Sequence, residues 1–533
     1  MAALDYELGY LLEPASAPHG WGAEPGRPLA RFWGFQDCRQ LRAGEVDSWL
    51  AELLEALPTD EQVAGVGGVE FGQAPSDYQQ AAERIRDYIA AGDCYQVNYT
   101  FPLYFQWFGH PLALYRGLRA RQPVRFGGVV ATEEGGIVSL SPELFLERRG
   151  DRLETRPMKG TAPRATDPEA LRASEKNRAE NLMIVDLLRN DLGRVAESGS
   201  VQVDSLFEIE EYPTLWQMVS QVSARVPGRN LADILAALFP CGSITGAPKI
   251  RAMQIAGELE GLPRRLYTGA LGWIAPGGDF RLNVSIRTLE LDADGRGRLG
   301  IGSGIVTDSD PLAEWQECLL KSAFLTDLDP ELKLIETLRR EDGRYPRLQG
   351  HLDRLRRSAV WFGFPFDETA VGQALAASSA PGTWRVRLTL DKAGAVEVTA
   401  ALLGPEPAGP RFAAIAEDRI DSRDPLRGHK TTVRFAYDAA LKTIAARPEV
   451  FDVLFLNERG EVAEGARSNI FVERDGVLLT PPLASGALPG VLRAELLATG
   501  RAREVVLTPA DLSEGFLLGN ALRGLIPVRL LAD

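Results

Sequence analysis

Two groups of side chains have types and placing that suggest chemistry. Glu180 stands in the helix-like run NRAENLMIVDLLRND, and Glu314 and Glu317 stand one turn apart in AEWQECLLK. Their neighbours are apolar, and two readings stay open: solvated or ion-paired helix faces, or a hard-cation site with few protein ligands. Oxygen donors of this kind suit magnesium and would leave positions for a substrate carboxylate and water. The second group centres on Lys430, between a strand-like and a helix-like segment in GHKTTVRFAYDAAL. With it go Arg354 in HLDRLRRSA, Glu464 in VAEGARSNIFV, and the glycine-bearing turn ALPGVLR with Gly490, Val491 and Leu492. An arginine and a turn with free N–H groups suit a phosphate. A glutamate can keep a pyridine nitrogen protonated and a lysine can condense with an aldehyde, which together suit pyridoxal phosphate.

Two glycine patterns carry less. Gly295, Gly297 and Gly300 satisfy GxGxxG, but a dinucleotide fingerprint needs a strand before it and a helix opening within it. LELDADGRGRLGIGSGI reads instead as strand, turn, strand. CGSITGAPK lacks the spacing of a phosphate-binding P-loop.

The elements that position these residues are irregularly mixed. Strands are expected in VVATEEGGIVSLS and LFLERRGDRLETRP. A helix is expected from Asp167-Pro168, with a break, to Gly193 as its C′ residue. Residues 324–331, FLTDLDPE, form a seam. Beyond them LKLIETLRREDGRYPRL predicts a hairpin around Asp342-Gly343, and HLDRLRRSAVWFGF a helix. WRVRLTLDKAGAVEVTAAL predicts another hairpin, and DVLFLNERGEVAEGARSNIFVERDGVLLT two more. Without regular βαβ alternation, the fold class is α+β. A chain of 533 residues exceeds one ordinary core. The boundaries expected are 1–70, 71–327 and 331–533.

Composition narrows the function. A 45% hydrophobic, 25% charged chain is that of a globular protein, and a net charge of −14 argues against nucleic-acid binding. Four scattered cysteines read as free thiols of a cytoplasmic protein, and four separated histidines argue against a zinc site. No run approaches the ~18 apolar residues of a membrane helix, and the N-terminus lacks a signal-peptide pattern, so no membrane partner is expected.

SPELF (141–145), RPMKGT (156–161), AENLMIVDLLRNDLGR (179–194), GSITGAPK (242–249), YTGALGWI (267–274), SIRTLEL (285–291) and GSGIVTDSDPLAEWQECLLK (302–321) occur in this order. Together, over about residues 70–325, they resemble the chorismate-utilising enzymes, the family of anthranilate, isochorismate, salicylate and aminodeoxychorismate synthases. The resemblance implies antiparallel sheets with flanking helices and magnesium at Glu180 and Glu317, with Glu314 beside them. It implies substrate contacts at Thr245, Tyr267, Arg287, Gly302, Ser303 and Gly304. Lys159 stands where anthranilate synthases carry a small residue and aminodeoxychorismate synthases a lysine nucleophile. By the same resemblance Glu143 is the general acid. Residues 1–70 look abbreviated against the family, and no GxCxG glutaminase elbow surrounds any cysteine. Ammonia is therefore expected from solution or from a glutamine amidotransferase subunit.

The blocks around Arg354, Lys430, Glu464 and Gly490–Leu492 resemble, over about residues 331–531, the two-lobed fold-type IV pyridoxal-phosphate enzymes. The resemblance implies Lys430 as the lysine that holds the cofactor, Glu464 as its pyridine partner and Arg354 with Gly490, Val491 and Leu492 at its phosphate. It also suggests a homodimer through this domain. The two halves imply consecutive steps: chorismate and ammonia to aminodeoxychorismate, then elimination of pyruvate to 4-aminobenzoate. Competing readings are an anthranilate- or isochorismate-forming half joined to an aminotransferase, and a non-catalytic rear docking module. Val491-Leu492, where relatives often have Ile-Thr, keeps the last one open.

Overall fold

Asp167 opens the helical region as its sequence predicts: its carboxylate accepts the Glu169 N–H at 3.0 Å, and Pro168 begins a helix over Pro168–Ala173. Ser174 then breaks the run in an extended conformation and caps a second helix, Glu175–Gly193, by accepting the Asn177 N–H. Ile184, Val185, Leu188 and Leu192 recur at helical spacing and are buried. Gly193 is not the left-handed C′ residue expected. It is the last helical residue, and Arg194 caps the helix in right-handed conformation, its N–H reaching Asp191 O at 3.1 Å.

The computed structural model describes residues 1–211, 215–376, 381–405 and 409–531. They divide into two compact units. The first comprises Met1–Ala51, Val69–Phe105 and Leu114–Leu328, the second Glu52–Gly68, Gln106–Ala113 and Asp329–Asp533. The first unit holds two sheets. One runs in the order Gln202–Glu211, Leu215–Arg225, Arg152–Arg156, Leu144–Arg149, Phe280–Val284, Ala270–Ile274, Ala2–Leu4, Ala30–Phe32, with Met158–Pro163 paired to Leu215–Arg225. The other runs Gly246–Ala247, Gln96–Phe108, Arg296–Ile305, Thr288–Asp292, Gly135–Ser139, Gly128–Thr132. Helix Glu175–Gly193 covers the first sheet, sharing a core with Phe145, Leu146, Val222, Phe280 and Leu282.

The GxGxxG segment is a hairpin, with Leu289 opposite Leu299 and Gly295 at φ +80° in the turn. Its glycines make room for aromatic rings. A Cβ on Gly297 would stand 2.2 Å from Phe105, and one on Gly300 2.0 Å from the Tyr267 ring.

The second unit holds a three-stranded antiparallel sheet, Leu334–Glu341, Thr383–Leu390, Val396–Leu402, and a mixed eight-stranded sheet. Helix Leu348–Phe362 packs on the smaller sheet through Leu352, Leu355, Ala359 and Phe362 and ends at Gly363 in the left-handed conformation. The expected hairpins at 384–402 and within 452–480 form. The one around Asp342-Gly343 forms only its turn: Glu341 and Arg344 exchange backbone hydrogen bonds, and the chain then enters the helix. Pro346 has no N–H for a ladder, and Leu334–Glu341 pairs with Thr383–Leu390 instead. No helix among the described residues is long and apolar enough to cross a membrane.

Candidate active sites

In the first unit, Glu143 precedes strand Leu144–Arg149 and its side chain is buried. The Ser243 hydroxyl donates to its carboxylate at 2.7 Å. Burial pushes the Glu143 carboxyl above the ordinary range, while the positive charge of Lys159 and the Ser243 hydrogen bond pull the other way. Lys159 is half-buried on strand Met158–Pro163. That strand is fastened by Gln217, whose amide donates to Gly160 O at 2.9 Å and accepts from Thr161 Oγ1 at 2.9 Å.

Ser243 and Thr245 belong to the short turn after Cys241, where the Thr245 hydroxyl donates to Gly242 O at 3.1 Å. Lys249 fixes the following helix by an ion pair to buried Asp191 at 2.6 Å. Tyr267 is buried against Gly300. Its neighbour Thr268 and the half-buried Arg287 take left-handed φ values of 60° and 50°, unusual for side chains of these types. Backbone hydrogen bonds hold both: Thr268 N–H to Ser285 O, and Leu140 N–H to Arg287 O, each at 2.9 Å. Gly302, Ser303 and Gly304 lie within strand Arg296–Ile305, and Ser303 Oγ shares a hydrogen bond with the buried Tyr78 hydroxyl at 2.6 Å.

The three glutamates are not gathered into one cluster. Among the described residues no group of three or more metal-binding side chains occurs. Glu180 is half-buried on helix Glu175–Gly193, and helix Pro311–Thr326 presents the other two. Glu314 accepts the Ser309 hydroxyl at 2.7 Å, and Glu317 pairs with Lys321, which also donates to Gly302 O at 2.9 Å.

In the second unit the residues expected around a cofactor form a connected network. The Lys430 amine donates to Thr337 Oγ1 at 3.1 Å. Burial and then the nearby Arg354 charge lower its pKa to about 7. Arg354 makes a bidentate contact to Glu336, at 2.8 and 2.6 Å, and its remaining nitrogen reaches Pro489 O at 3.4 Å. His351 Nδ1 stands 2.6 Å from the same Glu336. Buried Glu464 accepts from the Tyr437 hydroxyl and, at 2.9 Å, from Leu488 N–H. Arg427 donates to the Tyr437 oxygen at 2.7 Å. Asn469 holds Leu488 O at 2.9 Å, and Gly490 passes so close that a Cβ would meet Asn469 Oδ1 at 1.9 Å. Helix Val491–Ala498 starts there, so the N–H groups of its first turn lack intrahelical acceptors.

A family model described as chorismate binding enzyme matches residues 5–327. This chain is a member of that family. A second model, amino-transferase class IV, matches residues 333–531. Aminodeoxychorismate synthase component 1 of Klebsiella aerogenes is 44% identical over 249 residues, covering 45% of this chain and 55% of that protein. The same-named protein of Bacillus subtilis is 37% identical over 311 residues, 57% of this chain and 66% of that one. Anthranilate synthase component 1 of Streptomyces coelicolor is 40% identical over 284 residues, 51% of this chain and 55% of that one. This chorismate-binding protein thus spans about half the length of the first of these relatives.

The amino-transferase class IV domain implies pyridoxal phosphate, and the network fits that group. A lysine amine of lowered pKa, a glutamate fixed by two donors, and an arginine beside an open helix N-terminus match an aldehyde, a pyridine nitrogen and a phosphate. In the chorismate-binding unit, sequence reasoning missed Ser243 and the Asp191–Lys249 pair, although all three stand in the quoted blocks. In the second unit it missed Glu336, His351, Thr337 and Tyr437. Glu336 had a signal: it falls between Leu334 and Leu338 at the alternation of the buried face, where a charge needs a partner.

Proposed function

We propose that the chain makes 4-aminobenzoate from chorismate in two steps, one in each unit. The observation that carries this reading is the placing of Lys159 where its charge acts on a buried, hydrogen-bonded Glu143 carboxyl. A carboxyl held above its ordinary range stays protonated long enough to donate, and the C4 hydroxyl of chorismate leaves only with a proton. In its neutral form Lys159 adds at C2 through the amine lone pair as that hydroxyl departs from C4 as water, its proton supplied by Glu143. Ammonia then adds at C4 as the lysine leaves C2, so two displacements return the original configuration. Tyr267, Arg287, Thr245 and the Gly302–Gly304 strand are assigned to the substrate. Glu180 and Glu317 are assigned to a magnesium ion that neutralises a substrate carboxylate, with Glu314 as neighbour. Carboxylate donors fit such a cation, and Glu317 would exchange Lys321 for it.

In the second unit Arg354 and the first turn of helix Val491–Ala498 would hold the cofactor phosphate, Glu464 the ring nitrogen and Lys430 the aldehyde carbon. When bound, pyridoxal phosphate supplies an electron sink for the carbon bearing the substrate amine. Lys430, with its pKa near 7, is suited to take the C4 proton. The C3–O bond breaks, the enolpyruvyl group departs as pyruvate and the ring becomes aromatic.

Ammonia would come from a glutamine amidotransferase subunit, in keeping with relatives named as component 1. A homodimer through the second unit and a cytoplasmic setting complete the reading. The match to an anthranilate synthase component supports a second one, in which the first unit aminates C2. Lys159 argues against it. The test is product analysis of the full chain with chorismate, ammonium, magnesium and pyridoxal phosphate. Equal amounts of 4-aminobenzoate and pyruvate support the proposal, and anthranilate as the aminated product refutes it.

A further inference from the structure

The three-stranded sheet of the second unit carries a row of arginines that starts at the Lys430 amine. That amine donates to Thr337 Oγ1 at 3.1 Å. Antiparallel register sets Arg387 directly opposite Thr337, and Arg385 opposite Arg339. Side chains alternate between the faces, so these four share one face while Leu338, Val386 and Leu388 fill the core on the other. Directly opposed residues have Cβ atoms ~5 Å apart, near enough for neighbouring guanidiniums to serve one anion. Arg385 and Arg387 are exposed.

The turn between strands Phe516–Asn520 and Gly524–Leu530 closes the far end. Arg339 donates to Leu522 O at 3.3 Å, and Arg523 follows in that turn. Burial, then the charges of Arg385 and Arg339, hold the Arg523 guanidinium below its ordinary range. The carboxylates on this face are Glu341, engaged by Arg339, and Glu397, held by Lys333 at 2.9 Å. Four guanidiniums near one another repel, and an arriving anion relieves that repulsion.

We propose that this row, running from Thr337 past Arg387, Arg385 and Arg339 to Arg523, receives the carboxylates of the substrate whose amine lies at Lys430. The second site thereby selects dicarboxylate amines over monocarboxylates. The inference rests on the elimination reaction proposed above, whose substrate is a ring bearing an amine and two carboxylates, one on the ring and one on an ether side chain, and adds the residues that receive those carboxylates.

The test uses an unreactive dicarboxylate, 3-(carboxymethoxy)benzoate, and the monocarboxylate 3-methoxybenzoate, titrated calorimetrically into the full chain. The first unit also takes dicarboxylates, so the row is read by difference. In the double variant Arg385→Ala, Arg387→Ala one equivalent of the dicarboxylate should disappear or weaken at least tenfold, with 3-methoxybenzoate unchanged. Arg387→Gln, which keeps most of the stem, should weaken the same equivalent, and Arg387→Lys should retain it. Unchanged dicarboxylate stoichiometry and affinity in these variants would overturn the inference, as would an equal loss for the monocarboxylate. An arginine-dependent equivalent in a chain that releases no pyruvate would sink the elimination reading and leave the row standing.

Discussion

The Ser243 hydroxyl donates to the buried Glu143 carboxyl at 2.7 Å, and the Lys159 charge acts on that same carboxyl. Burial favours its protonated form, and both neighbours favour the ionised one. The balance leaves the group above its ordinary pKa. That is the condition for a proton donor that must release its proton only when a leaving group draws it.

This balance predicts the pH dependence of the amination. The acid works protonated, so turnover with ammonia should fall as pH rises through the elevated Glu143 pKa. Ser243→Ala removes a hydrogen bond to the ionised form, and the falling limb should move to higher pH. Glu143→Gln should lower the rate by about 100- to 10,000-fold, the usual worth of a positioned acid. A pH–rate profile checks both, and a limb that stays or moves down in Ser243→Ala contradicts the assignment.

Lys159→Ala should end aminodeoxychorismate formation while the second unit keeps its activity. Attack at C2 would then fall to ammonia or water, giving traces of anthranilate-like or isochorismate-like product. Chromatography of the chorismate-derived products decides this. Aminodeoxychorismate formed at the normal rate would remove the covalent route.

Glu180→Gln and Glu317→Gln should each abolish magnesium-dependent turnover by deleting a charge from a hard-cation site. Stability should hardly change, because the Glu317–Lys321 pair is a half-exposed i,i+4 contact worth ~0.5 kcal/mol at most. Rates measured against magnesium concentration give the answer. Wild-type magnesium dependence in both variants would make these carboxylates ordinary helix-surface groups.

Glu336 offers a stability test. Its carboxylate is buried, yet Arg354 and His351 outweigh burial and bring its pKa down to about 2. Its folded value lies below its unfolded one, so its contribution is present above about pH 4.5 and is lost as pH falls towards about 2. Glu336→Gln leaves the buried Arg354 without its counter-charge and should cost ~3–5 kcal/mol at neutral pH. Urea unfolding at pH 7 and pH 3 should show that difference shrinking at the lower pH. An equal cost at both values would mean that packing, not charge, is what the substitution removes.

Local rules carried much of the fold reading. Asp167-Pro168 announced a helix start by capping chemistry alone, and the strand-turn-strand pattern of 288–305 outweighed its GxGxxG motif. They failed where a distant partner decides. Asp342-Gly343 makes its turn, but the strand that pairs with Leu334–Glu341 lies some forty residues later. The candidate sites divide the same way. Lys430 and Arg354 could be named from residue type and neighbours, and Lys159 from the resemblance to the chorismate-utilising enzymes, whereas Ser243 and Glu336 became visible only once folding set a hydroxyl on Glu143 and a carboxylate on Arg354. Such pairs join residues 18 to 100 apart in sequence, and no local pattern encodes them.

The central claim, that one chain performs two consecutive steps, is tested most directly by Lys430→Ala fed with chorismate, ammonium and magnesium. Lys159 and Glu143 are untouched, so the first step should proceed. Without the amine at position 430 the C4 proton has no acceptor. Aminodeoxychorismate should therefore accumulate without release of pyruvate, and a separately supplied aminodeoxychorismate lyase should convert it to 4-aminobenzoate. Formation of 4-aminobenzoate by Lys430→Ala at the wild-type rate would contradict the account.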